Sequence, residues 1–219
     1  MKKYILGAAI AAVSFLSIPA SAAAMMFSLT GFDSTSNVGA GPFGTVTVTE
    51  SAGSLIFSQT LAPGYRIHDG NATHTAFAFS ILGDPAVTIT NLTAGFLAID
   101  LTANSNVTSP PFGTFYTAID CTTACGSGYA YGFAGNLNFT VSASTPLTLA
   151  SLLANTVWNT SYYFTTDVVN AGGFTGNVGA TLAVAAVPEP ATWGLMVVGF
   201  GMIGAAARSR KTKAAVRFA

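Results

Sequence analysis

Charge is what this sequence has least of. Only 7% of its 219 residues are charged, eight Lys and Arg against eight Asp and Glu. The bases crowd the two ends: Lys2 and Lys3 in front, and Arg208, Arg210, Lys211, Lys213 and Arg217 behind. Between them Arg66 stands alone against Asp33, Glu50, Asp69, Asp84, Asp100, Asp120 and Asp167. So weakly acidic a stretch excludes nucleic acid as a partner, because phosphate binding needs clustered cations. Lys, Glu and Gln are also nearly absent there, which argues against a helical body. Thr, Ser, Asn and Gly must carry its solubility, as they do in an extracellular β-protein.

Cysteine and histidine are as scarce. Cys121 and Cys125 exclude a many-bridged scaffold, and two thiols without a neighbouring His do not make a zinc site. In an oxidising compartment the pair is expected to form a local disulfide across Thr122-Thr123-Ala124. A loop that short removes little chain entropy, so its effect is local stapling. No G-x-S-x-G elbow, H-E-x-x-H or phosphate-binding loop occurs. Glu50 is the only Glu of the body, which leaves no Glu pair for glycoside hydrolysis, although Asp pairs remain open.

What is present begins with the ends. Met1-Lys2-Lys3 is a positive leader, Tyr4 to Ile18 is apolar, and Ala20-Ser21-Ala22 is a small-residue cleavage pattern. Residues 1–22 are therefore expected to be a signal peptide, handled by the export machinery and cut by signal peptidase after Ala22. At the other end, Ala191 to Ala207 carries no charge and meets the basic cluster abruptly. As a helix that run rises roughly 25 Å, at the short end of what crosses a bilayer. Pro190 suits a first helical position, Trp193 the headgroup region, and Arg208, Arg210, Lys211 and Lys213 the cytoplasmic side. A single transmembrane helix with the body outside is the expectation. Gly199-Phe200-Gly201-Met202-Ile203-Gly204 fits the dinucleotide glycine pattern by letter, but the chain lacks the acidic residue that should follow some twenty positions on. Those glycines read better as close-approach positions in a helix, Gly201 with Ala205 for example.

Pro188-Glu189-Pro190, then Trp193, an apolar helix and a basic cluster resemble the PEP-CTERM sorting signal in its PEPxxWA form, with Gly194 where that form usually has Ala. The resemblance covers about the last thirty residues. It implies recognition by an exosortase, in bacteria that typically produce exopolysaccharide. Residues 187–219 are thus expected to be motif, helix and basic tail. The short, glycine-diluted helix suits a temporary anchor at the inner membrane, followed by release to the cell surface or beyond.

The body, 23–186, is read as one domain. Thr45-Val46-Thr47-Val48-Thr49 alternates strictly, and Ser54–Gln59, Thr75–Ile81, Ala86–Leu92, Ala94–Thr102, Gly113–Ile119, Tyr129–Phe133, Asn136–Ser142, Ser161–Thr166 and Val178–Ala185 read as further strands. Pro146–Ala154 fits either a strand or a helical turn. Many short strands with regular turn signals predict an all-β fold, an antiparallel β-sandwich or jelly roll.

The densest polar cluster runs from Tyr65 to His74 and holds both histidines. His68, Asp69 and His74 admit a metal or general-base reading. They also admit a plain turn at Asp69-Gly70-Asn71, and the His-x5-His spacing, which matches no standard zinc pattern, favours the turn. The other candidate is aromatic. Phe112, Phe115, Tyr116, Tyr129, Tyr131, Phe133, Trp158, Tyr162, Tyr163 and Phe164 gather in the second half, mostly as core, with some available to stack on sugars. The expectation is a non-catalytic structural protein of the cell surface or extracellular matrix, linked to exopolysaccharide or biofilm, with no cofactor and no metal. The alternatives are a carbohydrate-binding module on exopolysaccharide and a secreted hydrolase using His68 or His74.

Overall fold

Alternation writes the first hairpin. Strands β1 (Ala24–Phe32), β2 (Gly44–Ser51) and β3 (Ser54–Leu61) open the body. In β2, Val46 and Val48 are fully buried, whereas Thr45, Thr47 and Thr49 sit half-buried on the opposite face. Ala52 and Gly53 both have positive φ, 48° and 77°, so a primed two-residue turn joins Ser51 to its partner Ser54. The computed structural model describes residues 22–68, 75–99, 106–123, 125–157, 159–184 and 190–209, the last stretch with only some of its side chains.

The remaining strands are β4 (Tyr65–Ile67), β5 (Phe77–Ile81), β6 (Val87–Thr90), β7 (Phe96–Ile99), β8 (Val107–Thr108), β9 (Thr114–Phe115), β10 (Thr117–Cys121), β11 (Leu137–Ala143), β12 (Leu152–Leu153), β13 (Asn155–Val157), β14 (Thr160–Tyr162), β15 (Phe164–Asn170) and β16 (Thr175–Val184). Helix α1 covers Pro190–Ser209. One sheet follows the order β6-β11-β3-β2-β1-β16-β15-β5-β10-β7, with β12 added to β5 and β4 to β15. Two small ribbons, β8–β9 and β13–β14, stand apart from it.

The expected all-β, antiparallel character is what forms. In place of two stacked sheets, the main sheet is continuous and nearly closed. Its two edges, β6 and β7, are neighbours in sequence, joined only by residues 91–95, and so short a link reaches at most ~20 Å. That link bonds both sides. Thr93 N donates to Asn138 O at 3.0 Å beside β11, and Gly95 O accepts from Thr122 N at 2.9 Å beside β10. Inward-facing alternation looks the same in a sandwich and in a curled sheet, so sequence pattern does not separate the two.

The interior is built from phenylalanine. Phe57 stacks on Phe139 with centroids 4.7 Å apart and lies 5.1 Å from Phe79 and 5.7 Å from Phe164. A smaller cluster forms around Phe112 and Tyr162, which pack edge to face at 4.8 Å. Its seat is a pair of facing glycines, Gly31 on β1 and Gly179 on β16; a Cβ on Gly179 would come within 2.7 Å of both rings.

Two segments depart from their expected form. Tyr129–Phe133 is not a strand: Tyr129–Tyr131 is a 3-10 turn, and Phe133 makes only an isolated bridge to Ile67. Glycines set this, with Gly128 at φ +84° and Gly132 wedged where a Cβ would meet Arg66 Cβ at 2.8 Å. Pro146–Ala154 is both of its alternatives in turn, a 3-10 turn over Leu149–Ser151 and then β12. Glu50, the body's one Glu, accepts from Leu149 N at 3.0 Å and so holds that turn to β2.

Close strand approach makes Gly44 critical. An added Cβ there would lie 2.2 Å from Thr60 O and 2.8 Å from Leu61 Cα, both backbone atoms that cannot swing aside. Gly44→Ala is expected to destabilise the fold by about 2–3 kcal/mol, read as a lower urea midpoint at unchanged slope.

Candidate functional site

Of the three residues singled out around the histidines, His68 falls among the described residues, while Asp69 and His74 lie outside them. The partner of His68 comes from far along the chain. Its Nδ1 lies 2.8 Å from Asp167 Oδ2 on β15, and the two are 8% and 1% exposed. A carboxylate can only accept here, so Nδ1 carries the proton and donates it. Backbone geometry forces the meeting. β4 and β5 both lie against the same edge of β15, β5 beside Phe164 and Thr165 and β4 beside Val168 to Asn170. Asp167 occupies the seam between them. It accepts from His68 N at 3.0 Å and donates its own N–H to Thr75 O at 3.1 Å.

The surroundings are buried and polar. Thr166 Oγ1 donates to Ala76 O. The hydroxyls of Thr75 and Thr165 are buried without a hydrogen-bond partner among the described residues. Chemically this is a His–Asp dyad that fixes one tautomer of the ring. No hydroxyl or thiol among the described residues bonds the other ring nitrogen. Among those residues, too, no group of three His, Cys, Asp or Glu side chains is placed to hold a metal.

Asp167 carries no local signal as a site residue, being one Asp between threonines and valines in a strand. The seam itself becomes legible only from strand pairing.

A second arrangement surrounds the body's single base. The Arg66 guanidinium carbon lies 4.4 Å from the Tyr129 ring centroid, and Nη1 donates to the carbonyls of Ala130 and Gly132 at 3.2 and 3.4 Å. The turn that supplies these groups follows the cysteines. Cys121 and Cys125 are at disulfide distance, with Cα atoms 5.7 Å apart, and Gly126 N donates to Tyr131 O at 2.9 Å.

The aromatics divide. Phe112, Phe115 and Phe164 are fully buried or nearly so, Tyr162 is half-buried against the glycine seat, and Tyr131 is 72% exposed. Trp158 lies outside the described residues.

In the tail, Pro190 opens α1, and Trp193 and Arg208 fall within it. Pro188, Glu189, Arg210, Lys211 and Lys213 lie outside the described residues. Met196, Val197, Val198, Phe200, Met202 and Ile203 are exposed. Successive helical residues turn by about 100°, so Met196, Val197 and Val198 point three different ways and the apolar surface is not confined to one stripe. Among the described residues, no helix is long and apolar enough to cross a membrane.

Comparison with known proteins bears on this tail. No curated protein and no solved structure matches the chain. The family model of the PEP-CTERM protein-sorting motif matches residues 186–211, a span holding Pro188, Glu189, Pro190, Trp193, Arg208, Arg210 and Lys211, and no family is assigned to the body. The chain thus carries a PEP-CTERM protein-sorting motif, which implies an exported protein sorted by an exosortase.

Proposed function

We propose that this is a non-catalytic structural protein of the cell surface or extracellular matrix, held briefly at the inner membrane by its C-terminal sorting signal and released when an exosortase acts at the Pro188-Glu189-Pro190 motif. The single observation that carries this reading is the sorting motif at residues 186–211, placed directly after the last strand of the body. That strand, β16, is hydrogen-bonded to β1 on one side and β15 on the other, with Met26 opposite Val184 at its end. Its last residues, Thr181 to Val184, pair with β1 alone. The burial of His68 and Asp167 supports a cross-linking role for that pair, since a base that meets substrate must be reachable. The exopolysaccharide or biofilm setting is part of the proposal and rests on the family resemblance.

Fractionation and intact mass test it together. The released protein is expected to begin at Ala23 and to lack Arg217, and Pro188→Ala combined with Glu189→Ala should leave the chain cell-associated with its tail in place. Released protein that still contains Arg217 refutes the temporary anchor. One observation favours a second reading, a carbohydrate-binding module: the exposed Tyr131, which lies in sequence between the two residues whose carbonyls bind Arg66.

A further inference from the structure

Arg66 has more hydrogen-bonding capacity than the fold uses. A guanidinium offers five N–H groups. Nη1 serves the carbonyls of Ala130 and Gly132, and neither Nε nor Nη2 has a hydrogen-bond partner among the described residues. No described carboxylate pairs with it; the ion pair among those residues is His68 with Asp167. Tyr129 takes one face of the cation, and the N–H groups along the rest of its edge are left unused among the described residues.

We propose that Arg66, Tyr129 and Tyr131 form a binding site for a carboxylated sugar unit, a uronic-acid residue of a polysaccharide. The proposal deepens the carbohydrate-binding reading and rests on it.

Three features support the assignment. The guanidinium is planar and forked, which suits two-point recognition of a carboxylate. It is fixed before any ligand arrives: Tyr129 covers it at 4.4 Å, and Gly132 lets β4 approach the turn so closely that a Cβ would clash with Arg66 Cβ. Gly126, directly after the Cys121–Cys125 pair, holds the turn from its other side through Tyr131 O. Tyr131 sits between the two carbonyls that Arg66 binds and is 72% exposed, so its ring offers a flat apolar face with a polar edge, as sugars require.

The charge pattern narrows the ligand further. One base among seven acids makes a local positive spot on an acidic body. The spot attracts a carboxylate at short range while the acidic remainder of the body disfavours long, densely charged chains, so a short uronate oligomer is the fitting ligand.

The test titrates the purified exported chain with trigalacturonate, using maltotriose as a neutral counterpart and a short oligoglutamate peptide as a non-sugar carboxylate. Trigalacturonate is expected to bind in a salt-sensitive manner, with maltotriose and the peptide much weaker. Arg66→Gln should weaken binding roughly ten- to a hundredfold, the loss of a charge-assisted hydrogen bond, and Arg66→Lys should restore part of it. Tyr131→Ala should weaken it roughly three- to tenfold. Because Tyr131 is so exposed, that variant keeps its fold and decides the matter even where Arg66→Gln does not fold. Equal affinity for maltotriose, equal affinity for the peptide, no binding by the wild type, or binding unchanged by Tyr131→Ala each overturns the proposal. Failure of the wild type to bind either sugar overturns the carbohydrate-binding reading together with the proposal, whereas equal affinity for maltotriose overturns the uronate assignment alone and leaves that reading standing.

Discussion

Phe57→Ala is expected to cost about 3–5 kcal/mol of folding stability. A domain of ordinary stability has about 5–15 kcal/mol in all, so the variant should sit near the edge of folding. The size of the effect follows from what the ring touches. Phe57 is fully buried on β3 and contacts Phe77, Phe79, Phe139 and Phe164, from β5, β11 and β15. β3 and β15 are separated along the sheet by β2, β1 and β16, so this one ring bridges opposite walls of a nearly closed structure. Aromatic neighbours cannot collapse freely into the space it leaves, because each is already held by the others: Phe77 with Phe139 at 5.5 Å, and Phe77 with Phe164 at 5.5 Å. The cost should therefore include a cavity term as well as lost burial. Urea unfolding measures it, and Ile56→Ala is the control. Ile56 is the next residue on the same strand but is 41% exposed, and its replacement should change stability by less than about 1 kcal/mol. Comparable losses at the two positions would mean that the phenylalanine cluster is not the centre of the fold.

How far the sequence reveals this depends on whether the signal is local. β2 is legible because Val46 and Val48 alternate with threonines, and the Ala52-Gly53 turn follows from its neighbours. The tail is legible because its motif, helix and basic cluster are consecutive, and Pro190–Ser209 does form a helix. The failures are the non-local features. Tyr129–Phe133 has the residue types of a strand, yet Gly128 and Gly132 allow a tighter turn that tertiary contact with Arg66 selects. Which of the ten aromatics are core is set by such non-local contacts: the glycine pair Gly31 and Gly179, far apart in the chain, provides a seat that half-buries Tyr162. The closing of the sheet rests on hydrogen bonds of residues 91–95 to two distant strands, which no periodicity announces. His68 stood out by its rarity, whereas its partner Asp167 is apparent only when β4 and β5 are seen to share one edge of β15.

That pair yields the second large effect. Asp167→Ala is expected to destabilise the protein by about 1–3 kcal/mol for the buried donor it leaves unsatisfied, with the emptied side-chain volume adding to that. The damage has two parts. His68 loses the 2.8 Å acceptor for its Nδ1–H while remaining 8% exposed, so water replaces the lost bond poorly. The side chain of Asp167 is also a wedge at a seam whose two sides are held by its own backbone, His68 N to Asp167 O and Asp167 N to Thr75 O. Asp167→Asn keeps an acceptor oxygen and the same volume, so it should lose distinctly less than Asp167→Ala. His68→Ala in the Asp167→Ala background should then cost much less than His68→Ala alone, because the interaction it removes is already gone. Unfolding free energies of the wild type, both single variants and the double variant give the coupling directly. A coupling near zero would mean that the two side chains stabilise the seam independently, and the cross-link between β4 and β15 would have to be assigned to the backbone hydrogen bonds alone.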